Sequence, residues 1–106
     1  MIAFYPIKPI YSDRIFSGEK TFELRKRLPR ADVNYILIYS TVPSGKIVGY
    51  AKIKALHKKY PDELWSLVSD RAGISEEDYR IYFHDAEYAC AIELEGIKKF
   101  KKPFPA

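Results

Sequence analysis

The residues from Ile15 to Arg27 limit most tightly what this chain can become. They read Ile15-Phe16-Ser17-Gly18-Glu19-Lys20-Thr21-Phe22-Glu23-Leu24-Arg25-Lys26-Arg27, a helix end, a glycine turn and a strictly alternating strand in succession. Successive side chains of a strand leave on opposite faces, so Thr21, Glu23, Arg25 and Arg27 share one side and Phe22 and Leu24 the other. The apolar pair can anchor the strand in a core. The opposite face then presents a carboxylate and a guanidinium side by side, with Lys20 just before them where the chain leaves the turn. So many charges around one turn exceed what solubility requires of a folded domain.

The flanking sequence places this stretch in an α+β architecture. Ile2-Ala3-Phe4-Tyr5 reads as a first strand. Pro9 suits the first position of a helix over Ile10 to Phe16, and Gly18 its left-handed C-terminal residue. The strand of Thr21 to Lys26 is closed by Pro29. Tyr35-Ile36-Leu37-Ile38-Tyr39, within a strand from Asn34 to Thr41, is apolar on both faces and belongs at the centre of a sheet. Val42-Pro43-Ser44-Gly45 is a turn. In the strand Lys46 to Leu56 the odd positions face the core, and Gly49 marks a bulge or a close backbone approach. Pro61, with Asp62 and Glu63 behind it, opens a second helix. Ser75 caps a third, whose Tyr79, Tyr82 and Phe83 form an aromatic face expected to be core packing. Tyr88 to Glu95 alternates as a strand, Gly96 offers a kink, and Ile97 to Phe100 can continue it. Many strands with few helices argue a barrel-like sheet with the helices outside.

At 106 residues the chain is expected to form one domain, 1–106, with a modest core. No apolar run approaches the roughly 18 to 20 residues that span a membrane, and no leader-like segment opens the chain, so a cytoplasmic location is expected. The single Cys90 agrees with a reducing compartment. Gln is absent and Asn34 is the only Asn, while Lys and Glu are plentiful, a bias typical of hyperthermophile proteins. Charge is strongly segregated. Residues 1–60 carry 12 Lys and Arg against 4 Asp and Glu, residues 61–95 carry 2 against 10, and residues 96–106 carry 4 against none. Either the two large blocks pair across the fold or the first presents a basic binding face. Lys98, Lys99, Lys101 and Lys102 read as a solvated edge that discourages edge-to-edge pairing, or as a phosphate-binding strip.

Gly18-x-Lys20-x-x-Glu23-x-Arg25 resembles the motif of the ASCH domain, the activating-signal-cointegrator homology domain, a small β-barrel family of the PUA-like superfold. Lys8-Pro9 before the first helix, the strand end Tyr39-Ser40-Thr41, the hairpin through Ser44 to Gly49 and the acidic helical insert extend the resemblance over nearly the whole chain. It implies a PUA-like barrel of about five or six strands with peripheral helices. It also implies that Lys20, Glu23 and Arg25 line a cleft on one side of the barrel, where PUA-like relatives hold RNA.

The residues allow two classes of function. The candidate binding constellation is Lys8, Lys20, Glu23, Arg25, Arg27, Ser40 and Thr41. Arg25 can take a phosphate or a base edge through its fixed fork of donors, and Glu23 can accept from an exocyclic amine. The first class is thus a module that binds RNA or a modified nucleoside. The second is a small hydrolase acting on RNA or on an acylated nucleoside, with Lys20 and Glu23 as catalytic candidates. Some family members resemble amidohydrolases of acetylated cytidine, in which a lysine acts with a threonine hydroxyl. Here Glu23 takes that hydroxyl's place and Thr21 lies two residues earlier. A ribonuclease reading meets a motif without a histidine to exchange protons near neutral pH. A structural ion-pair network among Lys20, Glu23 and Arg25 is the plain alternative to both. His57, His84 and Cys90 lack ligand spacing, so no metal is expected, and no cofactor-binding pattern is present.

Overall fold

The computed structural model describes residues 1–105. Strand β1 (Ile2–Ile7) leads into helix α1 (Pro9–Ser17), then come β2 (Phe22–Arg25), β3 (Tyr35–Ser40) and the long β4 (Lys46–Lys59). Helices α2 (Pro61–Val68) and α3 (Glu76–Tyr82) precede the final strand β5 (Ala89–Pro105). The five strands form one sheet in the order β1-β3-β4-β5-β2. β1 runs parallel to β3, and the other neighbours are antiparallel. The sheet curls into a half-barrel, the α+β PUA-like architecture expected from the sequence.

Local chemistry sets the elements. Pro9 occupies the first turn of α1, and Gly18 ends it at φ 87 with its N–H donating to the Ile15 carbonyl, a left-handed conformation that glycine adopts without steric cost. The Ser75 hydroxyl caps α3 by accepting from the Asp78 N–H at 3.1 Å. Gly49 lies at an irregularity of β4, where a Cβ would sit 2.2 Å from the Lys98 carbonyl oxygen and 2.7 Å from the Phe16 ring. The strands differ from the sequence reading mainly in length. β2 is shorter than Thr21 to Lys26, because the Thr21 N–H turns to the Arg71 carbonyl instead of a strand partner. β4 runs past Leu56 to Lys59, and β5 continues through Gly96, at φ 55, to Pro105.

The first half of β5 is buried on both faces. Ala89 and Ala91 join Phe22 and Leu24 of β2 beneath Leu64, Val68, Tyr79 and Phe83 of α2 and α3. Ile92 and Leu94, of opposite parity, face the barrel interior with Ile7, Ile36, Ile38, Ala51 and Ile15 of α1. Each fully buried Ile, Leu or Val among them contributes roughly 1.5 to 3 kcal/mol. The third helix is tied to the second by the Tyr79 hydroxyl, which donates to the Pro61 carbonyl at 2.7 Å. Among the described residues no helix is long and apolar enough to cross a membrane.

The half-barrel leaves a seam. β1 and β2 are the two edges of the sheet and do not pair with each other. Unpaired edges must be covered or occupied in a monomeric fold. Here one side chain spans the gap: Arg25 of β2 donates from Nη2 to the Pro6 carbonyl of β1 at 2.6 Å.

Candidate functional site

A cleft of ≈ 440 Å³ opens along this seam, walled by β1, the start of α1, β2 and α3. Its position follows from the alternation read in β2. Phe22 and Leu24 turn to the helical core, which leaves Glu23 and Arg25 on the barrel side, facing Pro6 across the gap. Lys20, between the end of α1 and β2, is 3% exposed, and Glu23 is 6% exposed. Both nevertheless line the cleft, so they form its floor.

The floor is held by a small set of contacts. Lys20 Nζ donates to the Ala72 carbonyl at 2.5 Å and lies 4.0 Å from Glu23 Oε1 and 5.4 Å from the centre of the Tyr11 ring. Arg25 Nε donates to Glu23 Oε2 at 3.0 Å, and the guanidinium lies over the Tyr5 ring at 4.8 Å. The loop that supplies Ala72 can pass this close only because of Gly73. A Cβ there would fall 2.5 Å from Lys20 Cβ, and its φ of +62 suits glycine. Arg14 fixes the same loop by donating to the Gly73 carbonyl at 2.9 Å.

The electrostatics run against an ordinary ion pair. Attraction alone would lower the carboxyl pKa and raise that of the amine. Instead burial pushes Glu23 above the usual carboxylate range, outweighing the opposing pull of Lys20 and Arg25. Burial likewise holds Lys20 below the usual lysine range, outweighing Glu23 and aided by Arg14 and Arg25. Desolvation exceeds attraction at both partners, as is common for buried pairs. The proton affinities of the two groups are drawn toward each other.

Four of the seven residues anticipated as a binding constellation line the cleft: Lys8 at its exposed rim, then Lys20, Glu23 and Arg25. The other three lie elsewhere. Arg27 sits in an exposed bend beyond the end of β2. Ser40 pairs in register with Ile7 and points toward α1, where its Oγ accepts from Ser12 at 3.2 Å. Thr41 gives its backbone N–H to the Ile7 carbonyl at 3.0 Å and is not part of the lining. The cleft in turn gains Tyr11, Asp78 and Ile81, which the sequence reading did not single out, and Tyr82, which it assigned to the core. Tyr82 is the informative one. Of the aromatic face assigned to the core, Tyr79 and Phe83 are buried as expected, while Tyr82 is 38% exposed and forms a cleft wall. The cleft holds Lys8, Lys20 and Arg25 against Glu23 and Asp78, so its own charge is mixed.

Few ion pairs among the described residues join the acidic segment to the basic first segment. Among the described residues, Glu93 is the carboxylate of 61–95 that pairs with the first segment, with Lys54 at 3.5 Å and with His57 Nε2 at 2.9 Å. Arg80 instead serves its own acidic segment, bonding Asp62 and, at 3.2 Å, Glu76.

Known proteins place this geometry in a family. An ASCH domain-containing ribonuclease from Zymomonas mobilis is 37% identical over 87 residues, covering 81% of this chain and 59% of the relative's length. The crystal structure of ASCH from Zymomonas mobilis superposes with a TM-score of 0.91 at 32% identity, covering 98% of this chain and 73% of that one. A hypothetical protein, PH0355, shares the fold with a TM-score of 0.64 at 18% identity, covering 90% of this chain and 98% of its own. The family described as Domain of unknown function (DUF365) matches residues 1–105. The chain belongs to the ASCH-domain family.

Proposed function

We propose that this domain binds single-stranded RNA by admitting one unstacked nucleotide, unmodified or modified, into the cleft between β1 and β2. The observation that carries the reading is the burial of Lys20 and Glu23 at the floor of a solvent-reachable cleft, with both proton affinities displaced by desolvation. Displaced titrations of this kind concentrate at functional sites. The cleft's ≈ 440 Å³ lies at the lower end of the roughly 300 to 1,000 Å³ of ligand sites, room for a nucleotide and not for a duplex. Arg25 uses Nε and Nη2 on Glu23 and Pro6, which leaves Nη1 to meet a phosphate or base edge. Glu23 is placed to accept from an exocyclic amine, Tyr82 or Tyr11 to stack on the base, and Lys8 at the rim to take a backbone phosphate. The relative named as a ribonuclease supports an RNA ligand. Cytoplasmic residence, with Cys90 unpaired, is part of the same reading.

A hydrolytic role is the second reading, and the Lys20–Glu23 pair favours it. Burial raises the proton affinity of Glu23 and lowers that of Lys20, which gives a motif without histidine a pair whose proton affinities are drawn together. In strand cleavage the 2′-oxygen would attack phosphorus as its proton passes to this pair. The 5′-oxygen would leave with a proton, and Arg25 would balance charge on the phosphoryl oxygens. Among the described residues no Ser or Thr lines the cleft, and the Thr21 N–H is turned to the Arg71 carbonyl, which weighs against the amidase of acylated nucleosides.

The test is Lys20→Ala and Arg25→Ala assayed by fluorescence anisotropy and by gel cleavage on one single-stranded RNA. Loss of binding or turnover by about tenfold or more, equivalent to roughly 1.4 kcal/mol, is expected for both. Affinity should also fall steeply with added salt. Unchanged affinity and no cleavage in the parent protein would refute the assignment.

A further inference from the structure

The outer face of the sheet is divided between two environments. Around β2 and the start of β5 it is covered by α2 and α3. Around β1, β3 and the first half of β4 no helix among the described residues lies on it, because α1 packs with Ile36 and Ile38 on the opposite face. Alternation makes this uncovered face the place for Ile2 and Phe4 of β1, Tyr35, Leu37 and Tyr39 of β3, and Tyr50 and Lys52 of β4.

Two groups of aromatic rings lie on it, the pair Phe4 and Tyr39 and the run Tyr35, Tyr50, Phe100 and Phe104. Phe4 stacks on Tyr39 with centroids 5.2 Å apart, Tyr35 meets Tyr50 at 6.3 Å, Tyr50 meets Phe100 at 5.8 Å, and Phe100 meets Phe104 at 5.7 Å. The solvent-facing side of an antiparallel sheet is ordinarily polar. Here Phe4 is 49%, Tyr35 39% and Phe104 46% exposed. Lysines interleave with the rings: Lys52 stands opposite Tyr35 in register, and Lys98 opposite Tyr50. Glu95 faces Lys52 across the β4–β5 ladder, yet among the described residues neither Lys52 nor Lys98 forms a salt bridge. Lys102, of the same parity as Lys98, follows on β5, also exposed and unpaired among the described residues.

We infer that this face is a second nucleic-acid site, a stacking platform for single-stranded RNA, separate from the cleft. Exposed rings on a sheet offer π-faces to unstacked bases, and unpaired lysines beside them offer charge to the backbone. A protein partner would be served by the apolar rings but would leave the interleaved cations without counterparts. An RNA strand satisfies both. β1 separates the two sites. Its Pro6 borders the cleft and its Phe4 lies on the platform, so one strand can occupy both in turn.

The experiment compares two probes on the whole chain: a labelled oligouridylate long enough to leave the cleft, and uridine monophosphate as a competitor confined to it. Phe4→Ala with Tyr35→Ala should weaken oligouridylate binding by about tenfold while leaving the mononucleotide unaffected. Lys52→Glu with Lys98→Glu, which leaves the rings intact, should also weaken it and should lower the slope of log affinity against log salt by about 0.7 per lysine. Arg25→Ala should do the converse, abolishing mononucleotide binding and sparing the platform contribution, so failure of either site is read separately. Oligouridylate affinity unchanged in both platform variants overturns the inference. So does a parent dimer in sedimentation that the Phe4 and Tyr35 substitutions dissolve, since the face would then be a contact between copies.

Discussion

Replacing Lys20 by Met tests the physics of the cleft floor, because it keeps most of the side-chain volume and deletes the ammonium. Three terms set the outcome. The hydrogen bond to the Ala72 carbonyl is lost, and charge-assisted bonds of this kind contribute about 1.5 to 3 kcal/mol. Attraction to Glu23 across 4.0 Å is also lost, about 4 kcal/mol at an effective dielectric of roughly 20. Against both stands the cost of stripping water from the ammonium, several kcal/mol, which exceeds the attraction because Lys20 titrates below the ordinary lysine range. The last two largely offset, leaving a net loss near that of the hydrogen bond, about 2 kcal/mol. Glu23 is not stranded, since Arg25 still donates to it at 3.0 Å. The loss therefore falls short of the roughly 3 to 5 kcal/mol expected when a buried charge is left without any partner. In a domain of this size about 2 kcal/mol lowers the thermal midpoint by roughly 10 °C. The pH dependence is the sharper signal. Glu23 binds its proton more tightly folded than unfolded, so below pH 4.5, its ordinary value, both states hold the proton. Above it the folded state keeps a proton that the unfolded state has lost, and stability falls as pH rises through the folded-state pKa. Removing Lys20 raises that pKa further and widens the window. Urea denaturation across pH should show the gap between variant and parent growing from pH 4.5 toward neutrality. A gap independent of pH, or a loss of about 5 kcal/mol already present in acid, would refute the reasoning.

Gly73→Ala reaches the same floor without removing a charge. Its Cβ would meet Lys20 at 2.5 Å at a φ of +62, so a loss of about 3 kcal/mol is expected together with reduced RNA affinity, and denaturation within about 0.5 kcal/mol of the parent would contradict it. His57→Ala should return Glu93 to the ordinary carboxylate range. The His57 hydrogen bond, at 2.9 Å, is the first cause of its depression, ahead of Lys54. A depressed carboxylate stabilises the fold above its ordinary pKa and loses that contribution as pH falls, so the variant should lose acid sensitivity there, followed by NMR titration of the Glu93 carboxyl.

The barrel was legible because each strand carried its own evidence. Tyr35 to Tyr39 was apolar on both faces and is the interior of β3, with Ile36 and Ile38 fully buried. Pro9, Gly18, Pro61 and Ser75 marked helix ends that the backbone geometry repeats. Strand lengths were less legible. β4 and β5 reach Lys59 and Pro105 because each extends along the other in an antiparallel ladder, and that partnership is invisible in the local pattern of either. The lining of the cleft is legible where parity decides it, as with Glu23 and Arg25 on β2. Ser40 and Thr41 lie outside that lining, because register with β1 turns Ser40 onto Ser12 of α1.

The burial of Lys20 had no local sign at all. Nothing in Gly18 to Arg25 distinguishes a lysine that reaches solvent from one that does not, and a lysine after a turn is ordinarily exposed. What buries it lies some fifty positions away in the loop between α2 and α3. There Ala72 presents a carbonyl to Nζ, Gly73 makes room for the aliphatic stem, and Arg71 accepts from the Thr21 N–H. This loop also sets the chemistry. An exposed Lys20 would be one more phosphate contact, and Glu23 beside it an ordinary carboxylate. Packed under the loop, the two are desolvated together, and their proton affinities converge while Arg25 stays at the cleft surface. The same motif on a barrel lacking a glycine at this point could not hold Lys20 in this way. The motif therefore identifies the strand, and the loop from Asp70 to Ile74 decides whether that strand carries a desolvated pair or only a charged surface.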